Sequence, residues 1–247
     1  MTDSSTIQDL KGVFSCQKVA KVGTGTTTRR VAQVGYYFVE QSGKDEFDVR
    51  PLNSNFVPIG NAEKIDRETL LRDYTPEPEM YHKQVLPNMK DLQKTLARAD
   101  RNRKQGNSFS AEMEYSSAVK VDETNVRGNF GVGLCFMERG ETERANDVFT
   151  RLISMDAAFE KEHKHLFNDF GINLRKSKMI PQSIEYYGKA ISLSPDDEHL
   201  QYNMARAYFE AEDYDNARKV LATCLELNPE FAEAKKFIAY LDKNKLG

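Results

Sequence analysis

The side chains best able to bind a metal or attack an electrophile in this 247-residue chain are four histidines and three cysteines. His163 and His165 stand two apart, which on a helix separates them by about 200° and rules out the joint chelation open to an i, i+4 pair. No His-Glu-x-x-His run occurs, and His82 and His199 lack partners at ligand spacing. Cys16, Cys135 and Cys224 are odd in number and far apart, with no Cys-x-x-Cys pair. Reduced thiols are expected, Cys135 and Cys224 as small core residues within helices. The stretch Gly23-Thr-Gly-Thr-Thr-Thr-Arg-Arg30 has the glycines and hydroxyls of a phosphate loop, yet lacks the Gly-Lys-Ser/Thr ending and a helix to hold the anion. A hairpin turn fits it better. No nucleophile is accompanied by a base or an oxyanion site, so the expectation is a protein without catalysis, metal or cofactor.

Basic side chains offer another chemistry. Lys90, Lys94, Arg98, Arg101, Arg103 and Lys104 run along one helix, and Lys18, Lys21, Arg29 and Arg30 cluster near Tyr36, Tyr37 and Phe38, whose rings could stack bases. Against a nucleic-acid partner, 35 Lys and Arg face 38 Asp and Glu, leaving a net charge of -3 and no global attraction for a polyanion. The RNA-recognition signature is absent, and aromatic strands are more often core. With 39% hydrophobic and 30% charged residues the chain reads as helix-rich and surface-charged, neither disordered nor membrane-embedded. At about 150 residues per domain, its length permits one or two domains with real cores and excludes a disulfide-held miniprotein. No apolar run approaches about 18 residues, and the opening Met1-Thr-Asp-Ser-Ser-Thr-Ile-Gln-Asp-Leu10 has neither a basic nor an apolar leader segment. No membrane insertion and a cytoplasmic location are expected.

The elements that must position these groups divide the chain. Residues 13–60 are rich in β-branched and aromatic types; in Val31–Val39 the residues Ala32, Val34, Tyr36 and Phe38 alternate onto one side, predicting a strand with one buried face. Turns at Gly23–Gly25 and Ser42–Asp45 predict a three-stranded antiparallel meander within a β module of residues 1–60, too small to be stable unless it packs on helices. Residues 61–91 read as a helical connector: Asp66 is a candidate N-cap for Arg67–Tyr74, and Thr75-Pro-Glu-Pro-Glu79 breaks the chain. The spacing of Tyr81, Val85, Met89, Leu92 and Leu96 predicts a long amphipathic helix, kinked or restarted at Pro87.

Beyond that the sequence repeats. Ala111, Ala145, Ser183 and Ala217 are separated by 34, 38 and 34 residues; four positions after each comes Tyr115, Phe149, Tyr187 or Leu221, and three further on Ala118, Leu152, Ala190 or Cys224. Twelve positions before each stands Ala99, Gly133, Gly171 or Ala205. Small residues where two backbones approach, with bulky ones filling the next groove, predict antiparallel helix pairs. Gly106 and Gly140 fall at turns, Pro195 and Pro229 at helix ends, and Pro181 in a first helical turn.

Tyr202-Asn-Met-Ala-Arg-Ala-Tyr208 with Tyr214, Ala217, Leu221 and Pro229 resembles the tetratricopeptide repeat family, as do Phe167-Asn-Asp-Phe-Gly171 with Tyr187 and Pro195, and Gly133, Phe136, Gly140, Ala145 and Phe149. Departures are Asn102 for a large apolar residue, Ala157 for proline and Cys224 for alanine. The resemblance implies a mainly α fold, an α-α superhelix carrying the small N-terminal β meander. Its repeats would be 92–125, 126–163, 164–197 and 198–231, closed by a capping helix at 232–247 with Ala234, Ile238 and Leu241 inward. It further implies a concave groove lined by Arg127, Phe130 and Leu134; by His165, Asn168, Asp169, Ile172 and Arg175; and by His199, Tyr202, Asn203 and Arg206. Such a groove takes a peptide or helix, and this residue set suits an acidic one, so a non-catalytic scaffold binding a protein partner is the leading expectation. The lysine and asparagine clamp by which some relatives grip a terminal carboxylate is represented only by Asn203. Two alternatives stay open: self-association, with one copy's groove taking another's N-terminal segment, and a regulator whose β module binds nucleic acid or a small ligand.

Overall fold

The computed structural model describes residues 10–22, 29–155 and 163–246. Residues 23–28 of the expected hairpin turn, Ala157 at the usual proline position, and the side chains of Lys18, Lys21, Arg29 and Arg30 lie outside the described set. By contact the chain divides into two compact units, Met1–Ala97 with Ser117–Asn125, and Arg98–Ser116 with Val126–Gly247. The division runs through the expected first repeat, 92–125.

In the first unit β1 (Lys11–Val22), β2 (Arg29–Gln41), β3 (Glu46–Pro51), β4 (Glu63–Asp66) and β5 (Tyr74–Pro76) form one antiparallel sheet of order β4-β3-β2-β1-β5. The sheet therefore extends past the expected limit at residue 60, drawing two short strands from the segment expected to be helical connector. Neither strand shows an alternating apolar pattern: β4 is Glu-Lys-Ile-Asp, and β5 ends in proline, which an edge tolerates. The expectation of one buried face is also corrected. Val34 and Tyr36 are exposed, whereas around residues 37–39 both faces are covered, Phe14, Val39, Phe47, Val49 and Leu70 on one core and Val13, Phe38 and Val85 on the other.

Helix α1 (Arg67–Asp73) starts as expected, the Asp66 carboxylate accepting the Thr69 N–H at 2.8 Å, and stops where Tyr74 extends into β5. After α2 (Pro78–Met80) comes a π-helical turn, Tyr81–Val85, and then α3 (Leu86–Lys104). Leu86 donates to the Tyr81 carbonyl five residues back, so the ladder widens just where Pro87 has no N–H to continue it. Helix α4 (Ser108–Val121) ends against the loop after β3: Asn53 and Asn55 donate to the Val121 carbonyl at 2.7 and 3.0 Å, satisfying an acceptor that a helix end leaves open.

In the second unit the helices pair as α5 (Val126–Glu138) with α6 (Thr142–Ile153), α7 (Lys164–Lys176) with α8 (Ile180–Leu193), and α9 (Glu198–Glu210) with α10 (Tyr214–Leu227), followed by α11 (Ala232–Lys243). Every residue of the small-residue register is buried. A Cβ on Gly133 would lie 2.5 Å from Phe170 and one on Gly171 2.6 Å from Tyr187, so these helices are too close for any side chain there. Turns repeat the same register. Gly106 and Gly140 have φ of +79° and +74°, and the equivalent Lys178 and Glu212 adopt 62° and 60° without glycine's freedom. One residue further, Asn107, Glu141, Met179 and Asp213 each donate to the carbonyl five residues back at 2.9 to 3.0 Å, closing the first helix of each pair. Helix α11 closes the same way, Leu246 donating to Leu241 at 3.0 Å after Lys245 at φ 54°.

Candidate peptide-binding cleft

The twelve residues expected to line a groove fall into three groups. Phe130 and Leu134 are 0% and 2% exposed; Phe130 packs edge-on against Phe170 at 5.2 Å, so both belong to the core and offer a ligand nothing. The reason is legible in α5 itself, whose Val-Arg-Gly-Asn-Phe-Gly-Val-Gly-Leu-Cys-Phe-Met is apolar around nearly its whole circumference and is buried accordingly.

A second group is engaged internally. Arg127 is paired with Asp100, which also accepts from the Tyr115 hydroxyl. Burial opposes ionisation of Asp100, yet these partners hold its carboxyl below the usual range. Arg103 bridges Glu138 at 2.8 Å and Asp169 at 3.4 Å, tying α3 to α5 and α7. Asp169 also accepts from Asn173. Arg175, 7% exposed, is ion-paired with Glu210, whose second oxygen faces Lys178 at 3.4 Å. Burial pushes the Glu210 carboxyl up, but the Arg175 hydrogen bond and charge outweigh it and the group is held low. Arg175 is thus a buried structural cation, not the exposed one expected.

The third group is open to solvent. His165 and His199 are exposed, Asn168, Ile172, Tyr202, Asn203 and Arg206 half-buried. Of these, Tyr202 and Arg206 come together at a cleft of about 560 Å³ walled by α7, α9 and α11 and lined also by Arg175, Phe209, Glu210, Glu233, Lys236, Phe237 and Tyr240. Aromatic rings form its floor: Phe209 meets Phe237 at 5.3 Å and Tyr240 at 6.0 Å, and Tyr202 meets Phe237 at 6.2 Å. The Arg206 guanidinium lies over the Tyr202 ring, 6.0 Å from its centroid.

Four lining residues, Glu233, Lys236, Phe237 and Tyr240, come from α11, expected to be only a cap. The signal was present: a 34-residue step from His199, Tyr202, Asn203 and Arg206 lands on those four. Ala234 and Leu241 do face inward, while the neighbouring face joins the cleft. The thiols offer no chemistry to it. All three cysteines are buried and unpaired, and burial pushes Cys135 up to about 12 and Cys224 up to about 11. Among the described residues no group of His, Cys, Asp and Glu could hold a metal ion, and no helix is long and apolar enough to cross a membrane.

The tetratricopeptide repeat profile matches residues 174–241, a span that includes α8, α9, α10 and most of α11. Residues 174–241 therefore carry tetratricopeptide repeats. No curated protein matches the sequence. Among solved structures, MamA 41-end from Desulfovibrio magneticus RS-1 is 16% identical, with 62% of this chain and 85% of that one covered and a TM-score of 0.48. A tetratricopeptide repeat protein from Parabacteroides merdae ATCC 43184 is 15% identical, over 62% of this chain and 60% of the other, with a TM-score of 0.49. Within this tetratricopeptide array the profile's end at residue 241 agrees with the geometry: α11 occupies the place of a first helix in a further repeat and forms one wall of the cleft.

Proposed function

We propose that this protein is a non-catalytic interaction scaffold that holds a peptide or helix of a protein partner in the cleft between α7, α9 and α11. The observation carrying this reading is the set of four aromatic rings at one concave site. They stand beside Arg206 and Lys236, which pair with no carboxylate among the described residues, whereas Arg103 and Arg127 in the earlier repeats, and Arg175 at the cleft itself, are tied to carboxylates. Tyrosine beside arginine is a combination in which interface hot spots are enriched. The three unpaired cysteines suit a reducing compartment, and we place the protein in the cytoplasm on that ground.

A pull-down with full-length protein tests the reading. An Arg206→Ala, Lys236→Ala, Tyr240→Ala triple variant is expected to lose partners retained by wild type and by a Leu71→Ala control, whose changed side chain is the most exposed large apolar one among the described residues. Retention of every partner by the triple variant sinks the assignment.

A further inference from the structure

We infer that the segment held in this cleft presents an internal Asp or Glu next to a bulky apolar side chain; the inference rests on the proposed function and specifies the partner's chemistry. Charge balance at the site is the argument. Of the lining cations, Arg175 is neutralised by Glu210, which Lys178 also faces. Arg206 and Lys236 have no ion pair or hydrogen bond with any described residue, and the remaining lining acid, Glu233, is exposed in the first turn of α11. Two uncommitted cations therefore stand over a floor of Tyr202, Phe209, Phe237 and Tyr240.

A half-buried guanidinium stacked on a ring has lost part of its hydration and gains most from a planar carboxylate that accepts two of its N–H groups. The apolar floor beside it gains most from a ring or branched chain that removes it from water. One residue of each kind, adjacent in the ligand, meets both demands. The carboxylate is a side chain and not a chain terminus in this inference, because a terminal carboxylate draws on several charged donors and Arg206 and Lys236 alone among the lining cations are without an ion pair to a described residue.

The test is selection of random 12-residue peptides displayed on phage against the full-length chain, followed by fluorescence anisotropy with labelled synthetic winners, acetylated and amidated so that neither terminus is charged. Winners are expected to carry Asp or Glu beside Phe, Trp, Leu or Ile. Changing that acid to its amide is expected to weaken binding about tenfold on wild type and to have no effect on an Arg206→Gln, Lys236→Gln double variant that melts as wild type does. Winners without acids whose binding is lost on Tyr240→Arg overturn the inferred chemistry while leaving the cleft as the binding site. Winners indifferent to Tyr240→Arg, or no enrichment at all, overturn both.

Discussion

Glu212 occupies a backbone conformation that costs every residue but glycine, and nothing in its surroundings requires a side chain. Glu212→Gly is expected to raise stability by roughly 0.5–1 kcal/mol, and Gly140→Ala, at the equivalent turn, to lower it by about 1 kcal/mol; urea midpoints at constant slope measure both. Gly171→Ala acts differently, by driving a methyl into the Tyr187 ring, and is expected to cost about 1–3 kcal/mol. Glu210 sets an acid limit. Its folded carboxyl lies below the ordinary 4.5, so its contribution is complete above that value and is lost as pH falls through the lower folded one. Glu210→Gln should be clearly less stable than wild type at about pH 7, with the gap closing at about pH 3 in thermal melts. At this scale the sequence was partly readable. Repetition of Ala111, Ala145, Ser183 and Ala217 marked the close contacts, and glycine marked the turns at 106 and 140. Lys178 and Glu212 carry no such mark, because tertiary packing imposes their conformation against local preference.

At the scale of elements, α11 decides whether the cleft exists. Its Ala234 and Leu241 close a core cluster with Ala205, Leu221 and Cys224, and Phe237 is packed against that cluster. Ending the chain after Glu230 is expected to lower the melting temperature and to make Cys224 react with a thiol reagent at about pH 8, whereas all three thiols of the intact protein stay unlabelled until urea is added. Periodicity made the helix legible but not its role, since an inward stripe of Ala234, Ile238 and Leu241 is what a cap and the first helix of a repeat both show. The sheet presents the opposite case. β1 and β2 announce themselves by β-branched and aromatic content, while β4 and β5 are held by pairing to β3 and β1 and have too few residues for any period to show. Phe130 and Leu134 illustrate a third limit: a position that faces a groove in one repeat is covered in another when the whole helix is enclosed.

Over the whole molecule, 35 cations and 38 anions sum to a weak negative charge, so an acidic partner is not drawn in from a distance. Association is expected at an unsteered rate of about 10⁵–10⁷ per molar per second, with stopped-flow rates changing little between low and high salt. The salt effect should fall instead on dissociation, where Arg206 and Lys236 act at contact. The recurrence of one left-handed residue at 106, 140, 178 and 212 carries a different consequence. Because each helix pair is hinged by the same backbone torsion at the same place, the array behaves as a row of interchangeable cassettes. Excising residues 178–211 would join Ser177 to Glu212, bring α10 into the seat vacated by α8 with Ala217 where Ser183 had been, and yield a shorter rod missing α9 and its binding cleft. Length and recognition in this chain can thus be altered by whole-period edits that leave every remaining turn in phase.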